Sequence, residues 1–254
     1  MAAPRPAKSR EEYNALVEYY RPQFATPYEN VKFVRDLLVS RGRPRPGDVV
    51  LDIGGGAGVM SFWLAKAFPG ARFVVRDFDP GVVEIGARLL AEHGATNVEI
   101  GVGNWLEVIP DDVGRFAGVV STHALCCLPD ARPAIRALTA LRPEWILIES
   151  LFYDGPLDVL IHIRNHVTGN AEEDPDGHFN IFSLPLVRSV FRDEGYARVT
   201  TVPFEIGIDL PRPPDGRRGT YTAPLGTQPR AQFSGPVYLP WHAVVADRDA
   251  PPAP

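Results

Sequence analysis

The segment Val49-Val-Leu-Asp-Ile-Gly-Gly-Gly-Ala-Gly58 restricts the fold more than any other part of the chain. Val49 to Ile53 reads as a short buried strand, and Val59 to Phe68 has helical spacing, so the glycines must turn a strand into a helix. Glycines at such a turn let the backbone take φ > 0 and approach a ligand closely, where a Cβ would collide. They are spaced G-x-G-x-G, at Gly54, Gly56 and Gly58. A dinucleotide fingerprint, G-x-G-x-x-G, would need glycine at the position of Val59, which argues against a nicotinamide cofactor.

Around this turn the texture is alternating strand and helix. Strands are expected at 71–75, 98–101, 117–121 and 145–149, and helices at 80–93 and 131–141. That order implies βαβ units, a parallel sheet and right-handed crossovers. Upstream, Ser9 with Glu12 can cap a helix from Glu11 to Tyr20 that Pro22 ends, a second helix follows Pro27, and 41–47 is a Pro- and Gly-rich linker. Downstream, helices are expected at 156–168 and 184–195. Two closing strands, 199–208 and 238–246, bracket a proline-rich stretch. The expected fold class is α/β: a doubly wound, seven-stranded, mainly parallel sheet with a C-terminal antiparallel strand. An N-terminal helical lid (1–47) precedes the main domain (48–254), which carries an insertion at 211–236.

Asp77 follows the second strand, nineteen residues after Gly58, where such sheets place a carboxylate to accept from a ribose diol. Asp79 is the nearby competitor. With strand, loop, helix, strand and acid in order, the segment resembles the class I S-adenosylmethionine-dependent methyltransferases. Its triple glycine is similar to that of the small-molecule O-methyltransferases. The resemblance implies S-adenosyl-L-methionine as cofactor, held by Asp52, Gly54, Gly55, Gly56, Gly58, Asp77, Phe78, Asn104, Trp105 and Ser121. In that reading Phe78 lies against adenine, and Gly103-Asn104-Trp105 matches a Gly-Asp-aromatic segment with Asn in place of Asp. An Asn carbonyl can still accept from an adenine amino group.

Methyl transfer from a sulfonium is an in-line displacement, so the protein must mainly position the reactants and needs a base only where the nucleophile is protonated. The catalytic candidates are His123 and Glu149, at the ends of the fourth and fifth strands, and His162. On a helix, Asp158, His162 and His166 (or Asn165) would share one face as a base with its orienter. A metal site drawing on His178 or the 172–174 acidic run is a lesser alternative, and the reaction calls for no metal. Acceptor-binding candidates are Tyr20, Phe24, Tyr153, His166, Tyr221 and Trp241, with core packing the competing role for the N-terminal aromatics. Cys126 and Cys127 read as small buried hydrophobes.

A net charge of −5 without a basic stripe opposes nucleic acid as a partner, and no apolar run is long enough to cross a bilayer. The expected setting is cytoplasmic, with a small-molecule acceptor as partner and a homodimer as a compatible assembly. Arginine supplies 23 of the 26 basic residues, which fits a GC-rich bacterial genome. With an elaborate acceptor region this suggests specialised metabolism, O-methylation being favoured over N- or C-methylation or an inactive cofactor-binding role. Eleven of the 26 prolines follow residue 200, and the densest part coincides with the insertion, where two short alternating segments suggest rigid strands rather than disorder.

Overall fold

The computed structural model describes residues 10–163, 177–214 and 219–249. The chain divides into two compact units, residues 1–122 with 136–147, and residues 123–135 with 148–254. In the first unit, β1 (Val49–Ile53) lies between β2 (Arg72–Asp77) and β4 (Gly118–Thr122), and β3 (Val98–Val102) pairs with β2, all in parallel. The crossover helices are α3 (Val59–Ala67) and α4 (Pro80–Glu92). Asp79 starts α4: its carboxylate accepts from Gly81 N at 2.9 Å and Val82 N at 3.2 Å, and Pro80 sets the first-turn φ. Val82, Ile85, Leu89 and Leu90 supply its buried face.

Two helices precede the sheet, α1 (Arg10–Ala25) and α2 (Glu29–Ser40). The first runs through Pro22 rather than ending there, and Ser9, the expected cap, lies outside the described residues. A proline inside a helix costs roughly 3 kcal/mol. Continuing the helix buries Phe24 to 1% exposure, and a fully buried Phe returns about 1.5–3 kcal/mol. The Gln23 side chain also donates to the Tyr19 carbonyl at 2.9 Å. Phe24 thus joins a core cluster with Val59, Phe62, Ile85, Leu89 and Leu90, against which Tyr13, Leu16, Val17 and Tyr20 also pack.

Helix α5 (Ala131–Ala140) and strand β5 (Trp145–Tyr153) pass from one unit to the other. Strand β5 has nine residues, not the five expected, and only its last is exposed. The second unit adds β6 (Phe182–Ser183), α6 (Leu184–Asp193), β7 (Arg198–Pro203) and β11 (Trp241–Asp247), the last two antiparallel. The hydrogen-bonded order of the sheet is β3-β2-β1-β4-β5-β11-β7, with β6 beside β5. This is the doubly wound, mainly parallel sheet with an antiparallel C-terminal strand that the sequence implied. The insertion forms a separate antiparallel sheet of β8 (Thr220–Leu225), β9 (Gln228–Ser234) and β10 (Val237–Tyr238), so its two expected strands are joined by a third.

The helix expected at 156–168 does not form in its described part. Val159 bridges Ile181 and His162 bridges His178, both antiparallel. Asp158 accepts from Ser183 N at 2.7 Å and Asn180 Oδ1 accepts from Ile161 N at 2.9 Å. The β-branched residues Val159, Ile161 and Ile163 recur with period two, which favours an extended chain. The helical row of Asp158, His162 and His166 is therefore corrected for its first two members, and Asn165 and His166 fall outside the described residues.

Gly86 tests how closely α4 approaches the glycine loop. A Cβ there would meet Ile100 Cδ1 at 2.6 Å and the Ala57 carbonyl oxygen at 2.7 Å. In a free helix Gly→Ala gains up to about 1 kcal/mol, whereas overpacking a core costs about 1–3 kcal/mol or more when backbone must move. Gly86→Ala is expected to lower stability by a net ~1–3 kcal/mol, read as an earlier urea midpoint; an equal or later midpoint contradicts this packing.

Candidate active site

The loop after β1 is built from backbone. Gly54 N and Gly55 N donate to the Arg76 carbonyl at 2.8 and 3.3 Å, and Gly56 N donates to Asp77 Oδ2 at 2.9 Å. Gly56 and Gly58 take φ of 55° and 79°, a left-handed region in which a side chain is strained. The second oxygen of Asp77 accepts from Asp79 N at 3.0 Å; Asp77 ends the strand, as its place after the apolar run suggested, whereas Asp79, the competitor, caps the helix. A carboxylate has about four acceptor sites, so Asp77 keeps capacity for further donors. Phe78, next in the chain, is 56% exposed.

Asp52 sits beneath this loop, fully buried. Ser61 Oγ donates to its Oδ2 at 2.7 Å, while its Oδ1 has no hydrogen bond. A Cβ on Gly55 would lie 2.7 Å from Val75 Cγ1 and 2.8 Å from Asp52 Cγ, so only glycine fits between them. Burial pushes the Asp52 carboxyl up to about 6; the Ser61 bonds oppose that rise and the nearby Asp77 adds to it. Tyr20, from α1, brings its hydroxyl to within 3.1 Å of where a Gly56 Cβ would be, so it lies over the loop. Burial, reinforced by Tyr19, Asp77 and Asp79, raises its phenol pKa. Ser121 is buried, donating to the Ile53 carbonyl at 2.8 Å. Asn104 Oδ1 accepts from Leu106 N at 3.0 Å, its amide donates to Glu107 at 3.1 Å, and Trp105 is buried.

The second unit holds a different cluster. His123 has φ of 58°, and its backbone N donates to the Glu149 carbonyl at 3.0 Å. The thiols of Cys126 and Cys127 donate to its own carbonyl at 3.4 and 3.6 Å. Its Nε2 is 3.4 Å from Glu149 Oε1, and its ring stacks on Trp241 at 4.1 Å. Glu149 is 0% exposed and neither carboxylate oxygen has a well-formed hydrogen bond, so the His123 ring is the ionisable group that faces it. The His123 side chain keeps 46% of its surface accessible: the pair is sealed on the Glu149 side and open on the other. Protein crowding around the ring lowers the His123 pKa, but the Glu149 charge and hydrogen bond, helped by Cys127, outweigh it and the pKa is raised.

The remaining candidates are dispersed. Tyr153 is half exposed at the end of β5. Trp241 is buried as the floor under His123, and Phe24 is a core residue packed on Phe62 at 4.9 Å, the packing role left open for it. Tyr221 Oη donates to the Gly235 carbonyl at 2.9 Å and its ring stacks on Phe233, which fixes it within the insertion. Cys126 is buried as expected, whereas Cys127 is exposed. One connector had no signal in the sequence: Asn180, fully buried, donates from its backbone to the Cys126 carbonyl at 2.8 Å and from its amide to the Leu128 carbonyl at 2.9 Å. Among the described residues no three His, Cys, Asp or Glu side chains are grouped to hold a metal, and no helix is long and apolar enough to cross a membrane.

The buried acid beneath the loop sets a pH dependence. Because the Asp52 pKa is raised on folding, its protonation-linked stability is fully present below the ordinary value of 3.8 and is lost as pH rises through about 6. Asp52→Asn removes that cost while its side-chain oxygen can still accept from Ser61. Urea titrations are expected to find the variant more stable than the parent near neutral pH, by up to about 2–3 kcal/mol, with the advantage disappearing toward about pH 4. A constant difference across that range contradicts the assignment.

Residues 50–144 match a family model described as a methyltransferase domain. No curated protein matches the sequence. Among solved structures, magnesium protoporphyrin IX methyltransferase from Synechocystis PCC 6803, with bound SAH, is 16% identical with a TM-score of 0.56, covering 96% of this chain and 90% of that one. An O-methyltransferase family protein from Burkholderia thailandensis is 17% identical with a TM-score of 0.57, covering 94% and 59%. Phosphoethanolamine N-methyltransferase 2 from Haemonchus contortus, in complex with S-adenosyl-L-methionine, is 15% identical with a TM-score of 0.50, covering 67% and 38%. The chain thus spans less than two thirds of the length of several structures it resembles. Residues 50–144 are thus similar to a methyltransferase domain, and the fold of the chain is similar to that of these methyltransferase structures.

Proposed function

We propose that this protein transfers the methyl group of S-adenosyl-L-methionine to an oxygen of a small-molecule acceptor, with His123 as the base. The observation that carries the reading is the buried Glu149 carboxylate, balanced by the half-exposed His123 ring at 3.4 Å. The loop residues suit the cofactor. The spare acceptor capacity of Asp77 matches a ribose diol, the exposed Phe78 ring suits a purine face, and the buried Asp52 Oδ1 lacks a donor that an ammonium-bearing ligand can influence. Gly54, Gly55, Gly56 and Gly58 allow close approach, with Asn104, Trp105 and Ser121 completing the proposed cofactor set.

Bound S-adenosylmethionine supplies an electrophilic methyl on a sulfonium. The chain must orient the acceptor and remove its proton. Glu149 facing Nε2 favours the tautomer with the proton on that nitrogen, which leaves the Nδ1 lone pair to accept the acceptor's proton. A His whose pKa is raised is a stronger base and is well matched to a hydroxyl or phenol. The imidazolium that forms is stabilised by Glu149 and the Trp241 face. Tyr153 and the insertion carrying Tyr221 are the proposed acceptor-side elements, Tyr20 and the rest of 1–47 a cap on the loop. A cytoplasmic setting, a homodimer and a place in bacterial specialised metabolism belong to the same proposal.

Two tests separate the halves. Asp77→Asn is expected to weaken S-adenosylhomocysteine binding in calorimetry by about 1–3 kcal/mol, or roughly 5- to 150-fold; unchanged affinity removes Asp77 from the site. In assays of radiolabelled methyl transfer over a panel of phenols, alcohols and amines, His123→Gln is expected to lower turnover by about 10²–10⁴ with little change in cofactor affinity. Glu149→Gln is expected to move the acid limb of the kcat/KM profile to lower pH, because the charge that raises the His123 pKa is gone. Full turnover in His123→Gln sinks the base assignment.

A further inference from the structure

The structure assigns a second, separate site: we propose that His162 and His178 form a cross-strand chelate for one divalent late first-row metal ion, Zn²⁺, Ni²⁺ or Cu²⁺. The two residues face each other in an antiparallel bridge. The flanking hydrogen bonds, Ile163 N to Gly177 O at 2.7 Å and Phe179 N to Ile161 O at 3.0 Å, make them a non-hydrogen-bonded pair. That is the register in which facing Cα atoms are closest, about 4.5 Å, and both side chains leave the same face. The ring centroids are 5.7 Å apart at an interplanar angle of 37°.

The spacing can be compared with what a metal requires. An ion ~2.1 Å from each coordinating nitrogen lies roughly 3.2 Å from each ring centre, and a tetrahedral angle then places the centres about 5.2 Å apart. The observed separation is wider by only half an ångström, within reach of small side-chain rotations. Imidazole is the side chain that suits Zn²⁺, Ni²⁺ and Cu²⁺, whereas Mg²⁺ and Ca²⁺ want oxygen. His162 is exposed and His178 half-buried, so an ion can enter from solvent. Among the described residues no third His, Cys, Asp or Glu joins the pair.

An ion held here would clip the strand segment 159–163 to 177–181. Asn180, two residues from His178, binds the Cys126 and Leu128 carbonyls, so the clip braces the turn that follows His123. The proposal is independent of methyl transfer and is read without an activity assay.

The test is calorimetric titration of the full chain, without a histidine tag, with ZnCl₂ in a non-coordinating buffer near neutral pH. Saturation with one equivalent is expected, together with a rise in thermal midpoint. His162→Asn and His178→Asn should each weaken binding by at least about tenfold, whereas His242→Asn should leave it unchanged. With Cu²⁺, electron paramagnetic resonance of the parent should show hyperfine structure from two equatorial nitrogens, reduced to one in His162→Asn, an exposed position where folding is not at stake. Equal affinity in the parent and His162→Asn overturns the site, as does the absence of saturable binding below about millimolar metal.

Discussion

The hydrogen bond from Gly56 N to Asp77 is the contact on which the rest of the first unit depends. It joins the end of β2 to the turn after β1, so the glycine loop is held by a side chain as well as by the Arg76 carbonyl. Because the acceptor is an ionised carboxylate, the bond is stronger than one between neutral groups. The surrounding choices follow from keeping this loop close to its neighbours. Gly55 leaves room for Asp52 and Val75, Gly86 leaves room for Ala57, and Asp79 takes over helix capping so that Asp77 can serve the loop.

Two almost fully buried carboxylates, Asp52 and Glu149, are handled differently. Asp52 receives a neutral hydroxyl from Ser61, which does not offset the loss of water, so its pKa rises. Glu149 instead faces a group that can itself become charged. The first arrangement favours a proton on the acid, the second a proton on its partner. A protein selected for stability alone would replace both with apolar residues, since buried charges seldom repay their desolvation.

Much of the first unit was legible in the sequence because its signals are local. A strand, a glycine turn and a helix within about twenty residues need no distant partner to be read. Asp77 could be placed ahead of Asp79 because side chains alternate along a strand and Asp77 directly follows the apolar run; the capping role of Asp79 emerged only with the structure. One failure comes from the second unit, where pairing is between distant segments. The stretch from Asp158 to Ile163 carries apolar residues compatible with either period, and only its partner 177–181, with Asn180 supplying an acceptor, makes it extended. Pro22 was misread for the opposite reason: a strong local breaker was overruled by core burial of Phe24, an energy that no local rule contains. The His123–Glu149 pairing was half visible: His123 directly follows β4 as expected, but Glu149 lies in the middle of the longer β5 and not at its end, and the Trp241 stack joins positions more than a hundred residues apart.

The left-handed backbone at His123 has an evolutionary consequence. A β-branched or bulky residue is costly in that conformation, by roughly 1–2 kcal/mol, whereas Gly, Asn, Asp and His adopt it readily. The codon neighbours of histidine include asparagine and aspartate, both tolerated by the turn and both far weaker bases at neutral pH. The imidazole can therefore be lost in one step without disturbing the turn. A lineage acquiring new chemistry there has few side chains to draw on. The backbone thus filters which functions descendants of this chain can reach, before any acceptor is encountered.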